Sequence, residues 1–149
     1  MSFRAEVMSK GLTDRLTAVA ERADKSTTDA VYRTGAAFLT LVRAKARTGF
    51  HRPGDPHIPG TGPGPNQATG DYVRSMHQTN GYEGDNPVAL VSTNAPQARR
   101  LEYGFPVVMV DSLGRSFNQP PYPHWRPAAE EIGPILRQNV ADAVRKALL

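Results

Sequence analysis

Apolar residues recur at helical spacing in three stretches of this chain. Leu12, Leu16, Val19 and Ala20 sit among charged neighbours and predict a short amphipathic helix near the start. Ser26-Thr27-Thr28-Asp29 then reads as a second helix start. Ser26 can accept from the orphan N–H groups of a first turn, and Asp29 puts a negative charge where the helix dipole favours it. Val31, Phe38, Leu41, Val42 and several alanines follow, with Arg43, Lys45 and Arg47 in the last turns and Gly49 as the expected stop. A helix from Ser26 to Thr48 spans about 34 Å, against a radius of gyration of about 15 Å for a compact chain of this size. It therefore crosses the subunit and presents its ends to whatever lies beside it. The strongest stripe comes last: Ile132, Ile135, Leu136, Val140, Ala143, Val144, Ala147 and Leu148, opened by Pro127 and expected to kink at Gly133-Pro134.

Between the helical stretches the period changes. Residues 50–67 read FHRPGDPHIPGTGPGPNQ, where repeated Pro and Gly deny both helix and ladder hydrogen bonding. A loop of that length is either disordered or a partner-contacting arm. Tyr72 to His77 and Val88 to Ser92 read as two strands around a turn region at residues 80–87, with room for a short helical turn at the beginning of the first strand. Pro96 opens a brief helix through Arg99, Arg100 and Leu101 that Gly104 stops. Val107 to Val110 and Arg115 to Phe117 resemble a second hairpin. The order helix, helix, hairpin, short helix, hairpin, helix predicts an α+β fold, long N-terminal helices and a C-terminal helix packed on an antiparallel β-sheet. Residues 1–149 form a single domain in this scheme, with 1–25 as a helical extension and 50–67 as a flexible loop.

Composition narrows the class. Only 39% of the 149 residues are hydrophobic, which leaves the core thin; with the large irregular segment at 50–67, this suggests that part of the chain is ordered by partners. The net charge of +4 comes without a run of like charges, which disfavours a dedicated nucleic-acid tail. There is no cysteine, which excludes disulfides and thiolate metal sites and fits folding in a reducing cytoplasm. No segment looks like a signal peptide or approaches the ~20 apolar residues that span a bilayer.

Candidate chemistry is sparse. His51, His57, His77 and His124 form no metal-ligand spacing and read as surface histidines. Gly60, Gly62 and Gly64 are interleaved with Pro63 and Pro65, which remove the donors a phosphate loop needs. Ser75 and His77 lack the strand–elbow–helix context of a nucleophile. Glu102, between Leu101 and Tyr103, is a lone carboxylate better suited to a structural hydrogen bond than to acid–base work. Trp125, the only tryptophan, reads as a core or interface anchor. No active site, cofactor site or metal site assembles from these residues, and the expectation is a protein that is not an enzyme.

Three landmarks then suggest a family. Ala68-Thr69-Gly70-Asp71-Tyr72-Val73-Arg74-Ser75-Met76 looks like the Thr-Gly-x-Leu-x-x-Ser-Ile element of the HK97 gp10-like family of tailed-phage proteins. Ala95 to Gly104, ending in Leu101-Glu102-Tyr103-Gly104, is similar to that family's aromatic-Glu-aromatic-Gly element. Tyr122-Pro123-His124-Trp125-Arg126-Pro127-Ala128 resembles its proline-bounded lead into a terminal helix. The resemblance covers Ser26 to Leu149, with Tyr72 in place of the usual Leu, Phe105 where Thr is common, and a longer loop at 50–67.

The resemblance implies a virion structural protein of the head–tail junction, a ring-forming neck or tail-completion subunit. Its partners would be copies of itself in a hexameric ring, connector proteins, and a tail terminator or tail tube, with genomic DNA passing through the lumen. A tail terminator and a small basic nucleic-acid-binding protein are the alternatives. The structural or interface candidates are Thr69, Gly70, Ser75, Glu102, Tyr103, Gly104, Trp125 and Pro127. Independently of the family, Gly70 and Gly104 sit where the chain must turn, and Glu102 is expected to accept backbone N–H bonds near the Gly70 turn.

Overall fold

A computed structural model describes residues 2–48, 70–110, 114, 116–119 and 121–149. The loop at 50–67, Thr69 and the expected stop at Gly49 lie outside the described residues. The element order is α1 (Ser2–Ala46), α2 (Asp71–Ser75), β1 (His77–Glu83), β2 (Asn86–Ser92), α3 (Ala98–Tyr103), β3 (Phe105–Val110), β4 (Ser116–Gln119) and α4 (Trp125–Leu148). This is the expected α+β architecture, with two long helices packed on a two-stranded antiparallel sheet.

The two N-terminal helices of the sequence reading are one. α1 runs for 45 residues without a break at Ser26, about 67 Å at 1.5 Å per residue. A start signal needs a stop before it. From Leu12 to Ala46 there is no proline, and the sole glycine, Gly35, lies well past Ser26. Thr28, part of the expected cap, instead shares a 3.3 Å hydrogen bond with the Tyr82 hydroxyl.

α4 lies antiparallel along the second half of α1. Lys45 Nζ meets Glu131 Oε2 at 2.9 Å near one end, Asn139 Nδ2 donates to Thr34 Oγ1 at 3.0 Å midway, and Ser26 and Lys146 line one cavity at the other end. α4 spans 24 residues, so it covers only the C-terminal half of α1. The stretch before Ser26 extends beyond it, and there Leu12 and Leu16 are 59% and 60% exposed. α4 begins at Trp125, ahead of Pro127, and continues through Pro134.

β1 and β2 form a tight antiparallel hairpin, His77 opposite Ser92 and Glu83 opposite Asn86, with only Gly84 and Asp85 at the turn. The first strand therefore starts later than the sequence reading placed it, because Asp71–Ser75 is helical. The hairpin lies against α1 at Gly35, where a Cβ would stand 2.5 Å from the Ala89 Cβ and 2.8 Å from Gln78 Nε2. Only a glycine lets the two backbones approach this closely. β3 and β4 form a second two-stranded ladder; among the described residues it is not joined to the first.

The core is small, as the composition requires. Val42, Ala46, Val73, Met76 and Ala128 are buried together, with Phe38, Leu39, Leu41, Tyr72 and Trp125 packed around them. It lies where the end of α1, the short α2 and the start of α4 meet. Among the described residues no helix is long and apolar enough to cross a membrane.

Candidate functional site

The first turn of α4 carries backbone N–H groups that no helical carbonyl can reach. Ala128 N–H is the first to bond within the helix, to the His124 carbonyl at 3.3 Å. Ahead of it, Pro127 has no N–H to satisfy. The remaining three all go to one side chain. Glu102 Oε2 accepts from His124 N at 2.8 Å and Trp125 N at 3.0 Å, and Oε1 accepts from Arg126 N at 2.9 Å. A buried carboxylate from a distant segment thus caps the helix, and its charge also suits the positive end of the dipole.

Glu102 is brought there by α3, whose last turn holds it and whose end is set by Gly104 at φ 74. Tyr122 N–H donates to the Leu101 carbonyl at 2.7 Å, laying the 121–124 segment against α3. Glu102 therefore fastens the α3 turn to the start of α4 and not to the Gly70 turn, which corrects the sequence expectation. The carboxyl bonds wherever the densest unsatisfied donors are, and those are at the helix start. Burial pushes the Glu102 carboxyl up, but the N–H groups of His124, Arg126 and Trp125 and the His124 ring together hold it below its ordinary value.

His124 is wholly buried, not a surface residue. Its Nδ1 lies 2.8 Å from the Tyr122 carbonyl, which can only accept, so Nδ1 carries the proton. Nε2 then accepts from the Tyr72 hydroxyl at 2.6 Å, and that hydroxyl accepts from Trp125 Nε1–H at 2.9 Å. This assignment needs a neutral ring. Burial drives the His124 pKa down, against the opposing pull of the Tyr122 carbonyl and of Glu102. Trp125 meets Phe38 of α1 edge-on at 6.2 Å between ring centres.

The three sequence landmarks thus converge on one node: Tyr72 from the first, Glu102 from the second, His124 and Trp125 from the third. Gly70, buried and at φ 79, precedes α2 and lets the chain turn into it. Ser75 Oγ donates to the Tyr72 carbonyl at 2.7 Å and lies 2.6 Å from Thr93 Oγ1. The His77 ring bonds the Ser75 carbonyl at 3.0 Å, not its hydroxyl, and its Nε2 lies 3.2 Å from Ser92 Oγ, so Ser75 and His77 do not pair through their side chains. Pro127 fills the one first-turn position that needs no acceptor. Tyr103 points outward, 75% exposed. Thr69 lies outside the described residues.

Beside the node is a cavity of about 490 Å³ lined by Phe38, Thr93, Arg99, Tyr103, Trp125 and Arg126 among others. Both oxygens of Glu102 and both ring nitrogens of His124 are already engaged, so the pair is committed to holding three chain segments together. Among the described residues no group of three His, Asp or Glu side chains converges as a metal site. Sequence reasoning missed His124, Tyr72 and Gly35. The available signal was Pro127 three residues after His124, which marks a helix start whose other donors need an acceptor.

Comparison with protein families, with curated proteins and with solved structures finds no match to this chain.

Proposed function

We propose that this chain is a structural virion protein of a tailed bacteriophage, a ring-forming neck or tail-completion subunit that helps join tail to head. The supporting observation is the node itself. The three sequence landmarks that resemble the phage family are distant in the chain, yet Tyr72, Glu102, His124 and Trp125 interlock through 2.6–3.0 Å hydrogen bonds. Residues spent on holding segments in register fit a protein that works by the shape of its surfaces. The helical extension adds to this, since its exposed leucines leave an apolar stripe for another molecule to cover.

In this role the subunit contacts copies of itself around a hexameric ring, connector proteins on one side and the tail terminator or tube on the other. Genomic DNA passes through the lumen without specific binding, and no membrane or cofactor takes part. Assembly occurs in the host cytoplasm. Ring contacts are heterologous, one face of a subunit meeting a different face of the next.

Native mass spectrometry of the purified protein, alone and with tail tubes, is the test. A discrete ring or a capped tube is expected; a monomer that ignores tails refutes the proposal. DNA binding that weakens steeply with salt, with a slope near −0.9 per phosphate contacted, would favour the nucleic-acid alternative instead.

A further inference from the structure

The face of α1 that packs on α4 does not end where α4 ends. Ala30, Thr34 and Ala37 line the cavity between the two helices. Continuing toward the N-terminus at helical spacing, the same face carries Ala23, Val19, Leu16 and Leu12. Val19 and Ala23 are partly covered, whereas Leu12 and Leu16 stand open, as does Leu148 at the end of α4 with 65% exposure. At about 100° per residue, Arg15 and Arg22 border this stripe on one side, while Asp14 and Glu21 fall on the far side of the helix. The open surface is an apolar strip with a basic margin.

The hairpin offers the converse. Ala89 faces α1 at Gly35, so the next residue, Leu90, belongs to the opposite face, where it is 58% exposed. In register on β1, Thr79, Gly81 and Glu83 share that outer face. Glu83 and Asp85 at the tip are the only Asp, Glu, Lys or Arg residues from 77 to 92. Among the described residues none of Arg15, Arg22, Glu83 and Asp85 is in an ion pair.

We infer that the helical extension of one copy docks its Leu12–Leu16–Val19 strip on the outer face of the β1–β2 hairpin of a second copy, with Arg15 and Arg22 against Glu83 and Asp85. The inference rests on the ring-subunit reading for the identity of the partner. It deepens that reading by naming the two unlike surfaces a head-to-tail contact requires. A chain cannot seat its own strip on the outer face of its own hairpin, because that face points away from α1. Tyr32 Oη donates to the Gly81 carbonyl at 3.2 Å, which places the hairpin tip beside that part of α1. Leu16 lies about 28 Å along the helix from Gly35, where the hairpin body sits. The rival use of the strip, an antiparallel pair of two extensions centred near Leu12 and Leu16, brings Arg15 close to Arg15 of the other copy. Like charges there disfavour it.

The absence of cysteine allows a direct test. Oxidation of a Leu16→Cys/Leu90→Cys double variant is expected to link chains into dimers and longer ladders, because each copy supplies one of each residue. Leu16→Cys alone is expected not to crosslink; a dimer from that variant shows paired extensions and overturns the inference. No 16–90 crosslink in a protein that native mass spectrometry finds oligomeric overturns this contact and leaves the ring reading standing. A monomer with no crosslink under any condition, tails included, overturns both. In parallel, Arg15→Glu/Arg22→Glu and Glu83→Lys/Asp85→Lys are each expected to weaken self-association about tenfold or more. Mixing the two variants restores complementary pairs in alternation, so recovered assembly supports the contact and its failure refutes it.

Discussion

Replacing Glu102 with Gln keeps the side-chain shape and removes the charge, which makes it the sharpest probe of the node. Gln has one acceptor oxygen. Placed at Oε2, it keeps the bonds from His124 N–H and Trp125 N–H, but its amide then points N–H groups at Arg126 N–H. One part-buried donor is orphaned, at about 1–3 kcal/mol, and two charge-assisted bonds become neutral ones at about 1 kcal/mol each. Against the desolvation relieved by removing a charge, a net loss of about 3 kcal/mol is expected. For a chain of this size that lowers Tm by about 6–12 °C at neutral pH. The same variant reports on linkage. The folded-state pKa of Glu102 is depressed, so its contribution is complete above the ordinary value of 4.5 and is lost as pH falls through the folded value. Circular dichroism melts at pH 7 and through the acid range measure both effects. A Tm unchanged to within about 2 °C, or wild type and Glu102→Gln losing stability in parallel below pH 4.5, would refute the capping role.

Three other perturbations have definite expectations. Tyr72→Phe removes the hydroxyl between His124 Nε2 and Trp125 Nε1 and should cost about 1–3 kcal/mol in urea titration; an unchanged midpoint contradicts the assigned network. Gly35→Ala sets a Cβ 2.5 Å from the Ala89 Cβ, and neither atom can swing away. The about 1–3 kcal/mol of overpacking should exceed the ~1 kcal/mol gain in helix propensity, and a stabilised variant would show that the hairpin does not press on α1. Finally, burial lowers the His124 pKa from 6.5, so the unfolded chain takes up a proton that the folded one resists. Stability should be complete above pH 6.5 and decline as pH falls below it, a slope that His124→Asn abolishes; a slope that survives the substitution assigns it elsewhere.

Much of the secondary structure was legible because it depends on short-range pattern. The stripe from Ile132 to Leu148 made α4, the glycines at 70 and 104 took the positive φ expected of them, and the order of elements specified an α+β fold. The single long α1 was misread at Ser26, since a local cap signal was given weight that an uninterrupted run of helix formers overrode. At the site, the sequence marked Glu102 as structural but sent it to the wrong turn.

From its sequence alone this protein is determined as a thin-cored, cysteine-free α+β chain with long helices and a few residues at turns and caps, because periodicity, propensity and charge act over a handful of positions. Only the tertiary structure decided that one carboxylate caps a helix 22 residues away, that a histidine is buried neutral between a carbonyl and a tyrosine, and that a glycine in mid-helix admits a hairpin. Those outcomes depend on which unsatisfied donors and which flat backbones meet in space, and the pairing of distant groups leaves no periodic trace along the chain.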